Sequence, residues 1–318
     1  VRVLLTGGVG FIGYHASRAL LARGDDVSIV DDFSNAPYPV AEKRRNANDL
    51  RAEFGERVAI HTACVTDRAA MDAHVAGAHG VIHLAGLAGV RPSFLEPARY
   101  ARVNVEGTAT VLEAAIRAGI GRIAFASSSS VYGNSTPLPA KEDAPAVEPE
   151  SPYAASKRGA ELVASAILRR APATACAALR FFTVYGPRQR PEMAITLFMR
   201  AALAGRTIEM FGDGSMRRDF THVDDIVRGI LAAFDRAPPG CRAYNLGSGA
   251  PINLAELVRA IGETAGRDVR VDGRPVPRGD VEATFADIER ARGELGWAPQ
   301  VALVDGLATV KAWVVAHP

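Results

Sequence analysis

Cysteine is scarce and scattered: Cys64, Cys176 and Cys241 are the only three in 318 residues. They lie far apart in apolar surroundings, with neither the paired spacing of a disulfide scaffold nor the short repeats of a zinc site, so reduced thiols of a cytoplasmic protein are expected. No apolar run approaches the ~20 residues that span a bilayer, and no membrane partner is expected. The first residues enter an apolar strand directly, which leads us to expect no secretory or transit segment. An excess of one charge is lacking too. The 37 Lys and Arg stand against 35 Asp and Glu, a formal net charge of +2. Without a basic stripe or recognition motif, nucleic acid is not an expected partner. His83 and His222 have no second ligand at metal spacing, so no metal is expected, and no internal repeat is visible.

What the chain does have is length for about two domains at roughly 150 residues each. Val1 to Thr6 is an apolar, β-branched run ending in Gly7-Gly8-Val9-Gly10-Phe11-Ile12-Gly13, and Tyr14 to Arg23 carries helical periodicity. The glycines read as Gly7-x-x-Gly10-x-x-Gly13 or Gly8-x-Gly10-x-x-Gly13. Either way they let backbone approach a pyrophosphate at a helix N-terminus, where free N–H groups and the dipole favour negative charge. A second strand, Val27 to Val30, ends in Asp31-Asp32, about 20 residues on, where a ribose-binding acid belongs. An acid there accepts from a ribose 2′-hydroxyl and repels a 2′-phosphate, so NAD is expected rather than NADP. Lys43, Arg44 and Arg45 are read as a solvated helix face.

Further strands are expected at Val58 to Val65, Gly80 to Leu84 and Arg122 to Ala126, with a helical pattern from about Pro97 to Ala118 that contains Asn104. Asp67 is placed to reach the adenine. Strands alternating with helices, without hairpin turns, predict a parallel, doubly wound sheet whose ligands sit at the carboxyl ends of its strands. The serines Ser127 to Ser130 fall at one such end, wedged against Val131-Tyr132-Gly133, which is not linker composition. Then comes Ser151-Pro152-Tyr153-Ala154-Ala155-Ser156-Lys157, opening a helix that runs to about Arg170. A tyrosine and a lysine four residues apart share a helix face, and the cation favours the phenolate. That makes Tyr153 a candidate base, although its ordinary pKa is near ~10. Beyond the strand Thr174 to Phe182 the alternation breaks. Helical runs at about 194–204, 224–235, 253–265 and 303–315 alternate with short strands, and Asn253 with Glu256 makes a capping box.

These stretches, with His83-Leu84-Ala85-Gly86, Arg218-Asp219-Phe220-Thr221-His222-Val223-Asp224-Asp225 and Asn245-Leu246-Gly247-Ser248-Gly249, resemble the extended short-chain dehydrogenase/reductases of the nucleotide-sugar epimerase and dehydratase family. Gly86 departs from the alanine more usual there, read as a minor change. The resemblance implies an α/β protein. Residues 1–173 would form a Rossmann-type doubly wound domain, with a segment returning near 220–246, and 174–318 a smaller α/β substrate domain. It implies NAD held by Gly7, Gly10, Phe11, Ile12, Gly13, Asp31, Asp32, Asn35, Asp67, Leu84, Ala85, Asn104 and Lys157. Tyr153 would be the base, Lys157 would lower its pKa and hold the nicotinamide ribose, and Ser128 would bridge the substrate hydroxyl.

In 4,6-dehydratases the two positions after that serine resemble Asp-Glu. Here they are Ser129 and Ser130, so equipment for eliminating water is missing and epimerisation at C4 through a 4-keto sugar remains. Thr183-Val184-Tyr185-Gly186-Pro187 and Arg190-Pro191-Glu192-Met193-Ala194 are similar to the branch that acts on UDP-glucuronate. There Thr183, Ser129, Ser130 and Arg190 would hold the sugar carboxylate, since an arginine fork matches a carboxylate. Arg91, Arg218 and Arg278 complete the implied contacts to the UDP-sugar. A UDP- or dTDP-hexose 4-epimerase, a decarboxylase and a non-catalytic NAD-binding protein are the alternatives. The helices near 97–118 and 153–170 resemble the pair through which relatives form homodimers.

Overall fold

A computed structural model describes residues 1–35, 38–275 and 281–317. Seven strands form one sheet in the order Gly240–Leu246, Ala175–Phe181, Arg122–Ser128, Gly80–His83, Arg2–Thr6, Asp26–Asp31, Val58–Thr62. Every neighbouring pair is parallel. From Arg2–Thr6 the chain steps outward to Val58–Thr62, then crosses back to Gly80–His83 and builds the other way. That reversal opens a crevice at the carboxyl ends of Arg2–Thr6 and Gly80–His83, where ligands of such sheets lie.

Helices cover both faces, which is why Ala175–Phe181 is buried at every position and reads as a near-continuous apolar run. One apolar cluster, containing Leu5, Ile29, Ile226 and Trp297, packs on one face of the sheet. A second, containing Leu4, Val81, Leu112 and Phe125, packs on the other. A third joins the helices Ala194–Leu203, Leu254–Ala265 and Leu303–Ala316. Leu254–Ala265 begins with the expected box: Asn253 Oδ1 accepts from Glu256 N, and Glu256 Oε2 accepts from Asn253 N.

Three local expectations are modified. The strand after Gly121 runs on through Ser127 and Ser128, leaving Ser129 and Ser130 in the turn Ser129–Tyr132. The helical stretch from Pro97 contains a π turn, Arg102–Glu106, centred on Asn104. Such insertions recur where a helix must present a group off its regular face. Cys176 and Cys241, distant in sequence, are register neighbours on adjacent strands, and all three cysteines are free thiols. Among the described residues no helix is long and apolar enough to cross a membrane, and no group of three or more His, Cys, Asp or Glu could hold a metal ion.

Candidate active site

The glycine turn fills the crevice at the switch point. Gly7 has φ +72°, and a β-carbon there would stand 2.6 Å from Ala85 N. A β-carbon on Gly13 would stand 2.0 Å from Gly7 O, so the helix Phe11–Ala22 enters in contact with the turn. Gly8 packs against Ile29, so all four glycines are used and both spacings describe one turn. No side chain caps that helix, whose first residues are Phe11 and Ile12, so its leading N–H groups face the crevice. The turn fits a pyrophosphate because bare glycines at Gly7 and Gly13 let it pack backbone against backbone at the helix N-terminus, where a side chain would clash.

Asp31 ends the next strand, with Oδ1 accepting from Phe33 N at 2.9 Å and from Lys43 Nζ at 2.8 Å. Lys43 is therefore buried beside Asp31 and Asp32 rather than solvated. It lies on the first turns of Val40–Phe54, whose N-terminus folds back over the strand end. Asp32 Oδ1 accepts from Ser34 N and Asn35 Oδ1 from Val40 N. Asp67 caps the helix Arg68–Val75 by accepting from Ala70 N at 3.1 Å.

Leu84 N bonds Thr6 O, and Ala85 N bonds Thr6 Oγ1. Thr6 and Thr108 hold His83 between them at 2.6 and 3.1 Å. Burial takes that imidazole down to about 3, so it is a neutral core group. Asn104 locks the next loop with bonds to Leu87 N and O and reaches Ser156 Oγ at 2.9 Å. A β-carbon on Gly86 would stand 2.9 Å from Asn104 Oδ1 and 3.1 Å from Lys157 Nζ. Both are side-chain ends that can shift, so an alanine there would be accommodated cheaply.

Ser151 caps the helix Pro152–Leu168 by accepting from Ala154 N, and Pro152 supplies its first turn. Tyr153 follows, with Ser128 and Arg190 near enough to act on its phenol. Burial raises the phenol above its ordinary value, while the Ser128 hydrogen bond and the Arg190 charge pull it down. Ser128 Oγ also bonds Ser130 Oγ and accepts from Ser130 N, both at 3.2 Å. The Lys157 ammonium donates to Ala126 O at 2.9 Å, since a buried ammonium needs an acceptor. Burial lowers it to about 8, with Glu161 pulling it back up.

Arg190 completes this group. Its Nη1 lies 3.3 Å from Glu192 and its Nη2 3.1 Å from Met193 Sδ, and its charge acts on both Tyr153 and Tyr100. Thr183 N donates to Asp219 O on the facing segment. Arg91 stacks its guanidinium 4.5 Å from the Phe211 ring, and Arg218 donates to the carbonyls of Arg217 and Glu282. Tyr153, Ser128, Ser130, Lys157, Asn104 and Arg190 are thus brought together, whereas Arg91 and Arg218 hold to other segments. Arg278 lies outside the described residues.

A buried network behind the site escaped the sequence reading. Arg180, 2% exposed, grips Glu161 through Nε and Nη2 at 2.9 and 2.8 Å and Tyr132 OH through Nη1 at 2.9 Å. Ser127 Oγ donates to Glu161 and Tyr132 OH to Asn245 Oδ1, both at 2.6 Å. An arginine inside an apolar strand was the available signal.

Residues 3–247 match the NAD dependent epimerase/dehydratase family. The chain is 35% identical over 313 residues to UDP-glucuronate 4-epimerase of Thermodesulfobacterium geofontis, covering 98% of this chain and 95% of that one. The UDP-glucuronic acid 4-epimerase of Bacillus cereus, solved with UDP-glucuronic acid and NAD, superposes with TM-score 0.91 at 29% identity, covering 99% of both chains. A dTDP-glucose 4,6-dehydratase of Streptomyces venezuelae, solved with NAD and TYD, gives TM-score 0.90 at 32% identity over 100% of this chain and 98% of that. The backbone is thus shared by epimerases and dehydratases, and the chain belongs to the NAD-dependent epimerase/dehydratase family of extended short-chain dehydrogenase/reductases.

Proposed function

We propose that the protein is an NAD-dependent nucleotide-sugar 4-epimerase that interconverts UDP-glucuronate and UDP-galacturonate. The observation that carries this reading is Arg190 beside Tyr153, with serines rather than carboxyl groups at positions 129 and 130. The relatives named UDP-glucuronate 4-epimerase support the substrate. The glycine turn and Asp31 would hold NAD, which when bound would supply a reversible acceptor for the hydrogen on C4.

On this reading Tyr153 takes the C4 hydroxyl proton through Ser128 and gives it back. The Arg190 charge and the Ser128 hydrogen bond lower the cost of the phenolate in a buried place. Lys157 would hold the nicotinamide ribose. Arg190, Thr183, Ser129 and Ser130 hold the uronate carboxylate out of line with the C4 carbonyl orbital, the alignment through which a β-keto acid loses CO₂. Arg91 and Arg218 meet the UDP portion. The seven-stranded sheet, which takes in Ala175–Phe181 and the returning strand Gly240–Leu246, holds the dinucleotide at its carboxyl edge, and the helices Ala194–Leu203, Leu254–Ala265 and Leu303–Ala316 form the smaller unit on the sugar-nucleotide side. Incubation with UDP-glucuronate, UDP-glucose and dTDP-glucose in parallel, with products identified by NMR, tests it. The expected product is UDP-galacturonate without accumulated NADH; a pentose, a 6-deoxy sugar or unchanged UDP-glucuronate overturns it.

We further infer a cytoplasmic homodimer. The helix Pro152–Leu168 packs on Gly107–Arg117 yet leaves Leu162 56% exposed, and the free thiols suit a reducing compartment. Light scattering is expected to give twice the 33.6 kDa chain mass, and a monomer at micromolar concentration counts against it.

A further inference from the structure

The loop carrying Arg190 is fastened to the dinucleotide side of the crevice by its neighbour two residues back. Arg188 adopts φ +65°, a left-handed conformation that a residue with a β-carbon holds only when its surroundings over-determine it. Those surroundings are explicit. Its Nη1 donates to Asn46 Oδ1 at 2.5 Å and its Nη2 to Asp49 Oδ2 at 2.6 Å. The guanidinium lies 3.9 Å from the Tyr14 ring centroid and 4.7 Å from that of Trp313. Its side chain is only 12% exposed. The backbone is held as well: Arg188 O accepts from Tyr38 OH at 3.0 Å, and Pro187 O meets His15 Nε2 at 2.9 Å.

Asn46 is wholly buried, and its amide donates to Val9 O at 2.9 Å, inside the glycine turn. A continuous path therefore runs from the dinucleotide turn through Val9 and Asn46 to Arg188, and two residues on to Arg190. We propose that Arg188 is a positioning residue that sets the Arg190 guanidinium against the substrate by anchoring its loop to the glycine turn through Asn46. This rests on the reading of Arg190 as the uronate clamp and adds what holds the clamp in place. A charged fork sandwiched between two rings is pre-organised, so the anchored loop loses little freedom when a carboxylate arrives. Without it, Arg190 would still reach a carboxylate but from many loop positions.

The test is calorimetric titration of UDP-glucuronate and UDP-glucose into protein saturated with NAD, comparing wild type with Arg188→Met, Asp49→Asn and Arg190→Met. Arg188→Met should weaken UDP-glucuronate binding about tenfold and UDP-glucose less than about twofold, because a misplaced clamp harms only the sugar that uses it. Asp49→Asn, at a half-exposed position, should shift the same ratio in the same direction by less, and it keeps the test open if Arg188→Met does not fold. In an Arg190→Met background the effect of Arg188→Met on UDP-glucuronate should vanish. Equal weakening toward both sugars, an unchanged ratio, or an effect that survives loss of Arg190 overturns the inference while leaving the 4-epimerase reading intact. Wild type without preference for UDP-glucuronate overturns both.

Discussion

Lys157 shows how one residue carries both a functional assignment and a stability cost. Its ammonium is buried over Ala126 O, and burial draws its pKa down from 10.5 to about 8. Below about pH 8 the folded protein holds a desolvated charge, which lowers stability. Between about pH 8 and 10.5 the unfolded chain keeps the lysine proton and the folded chain releases it, so stability rises with pH through that window. In protein freed of dinucleotide, the unfolding free energy of wild type relative to Lys157→Met is expected to climb by roughly 3 kcal/mol across it. Urea titrations of both proteins from pH 7 to 10.5 check this, and a flat difference would show that the ammonium is better solvated than its position indicates. The Tyr153–Lys157 spacing was legible because helical pitch fixes which side chains share a face. The partner of the lysine was not, since the carbonyl it finds belongs to a strand 31 residues away in sequence.

At the level of elements, the Arg180 network decides how the helix that carries Tyr153 and Lys157 sits on the sheet. Glu161 belongs to Pro152–Leu168, Arg180 to Ala175–Phe181, Ser127 to Arg122–Ser128 and Asn245 to Gly240–Leu246, so four elements meet at one ion pair. Removing one partner of a buried pair costs about 3–5 kcal/mol when the other charge is left uncompensated, whereas replacing both with apolar groups is often neutral. Arg158 Nη1 also bonds Glu161 Oε2 at 2.9 Å, so Arg180→Met leaves Glu161 with a second, partly exposed cation and should lower the urea midpoint by less than that full cost, and Arg180→Met with Glu161→Leu should recover part of the loss. If the double variant is as unstable as the sum of single ones, the network holds the helix by more than charge compensation. Element types and order were readable from periodicity, glycine turns and caps. The π turn at Asn104 was not, because its cause is tertiary: Asn104 must reach Leu87 and Ser156 together.

For the molecule as a whole, the parallel doubly wound sheet and the placing of ligands at the carboxyl ends of its strands followed from alternating strands and helices, while the strand order did not. Nor did the arrangement of arginines over the crevice, because Arg188 is held by contacts with residues some 140 positions earlier. The backbone is common to epimerases and dehydratases, so the chemistry must be decided by what flanks C4 of the sugar. A dehydratase needs an acid and a base beside Ser128 to remove water, and elimination exposes the sugar to proton exchange with solvent. Ser129 and Ser130 are poor at both tasks near neutral pH, so the only carbon-bound hydrogen that moves is the one passed between C4 and NAD. UDP-glucuronate carrying deuterium at C4 is therefore expected to yield UDP-galacturonate with the label still at C4, and in D₂O no deuterium should appear at C5. Mass spectrometry and NMR of the product read both positions. Washout at C4 would mean that the hydrogen leaves as a proton rather than a hydride, and incorporation at C5 would mean that a base acts next to the keto carbon, neither of which this set of side chains provides.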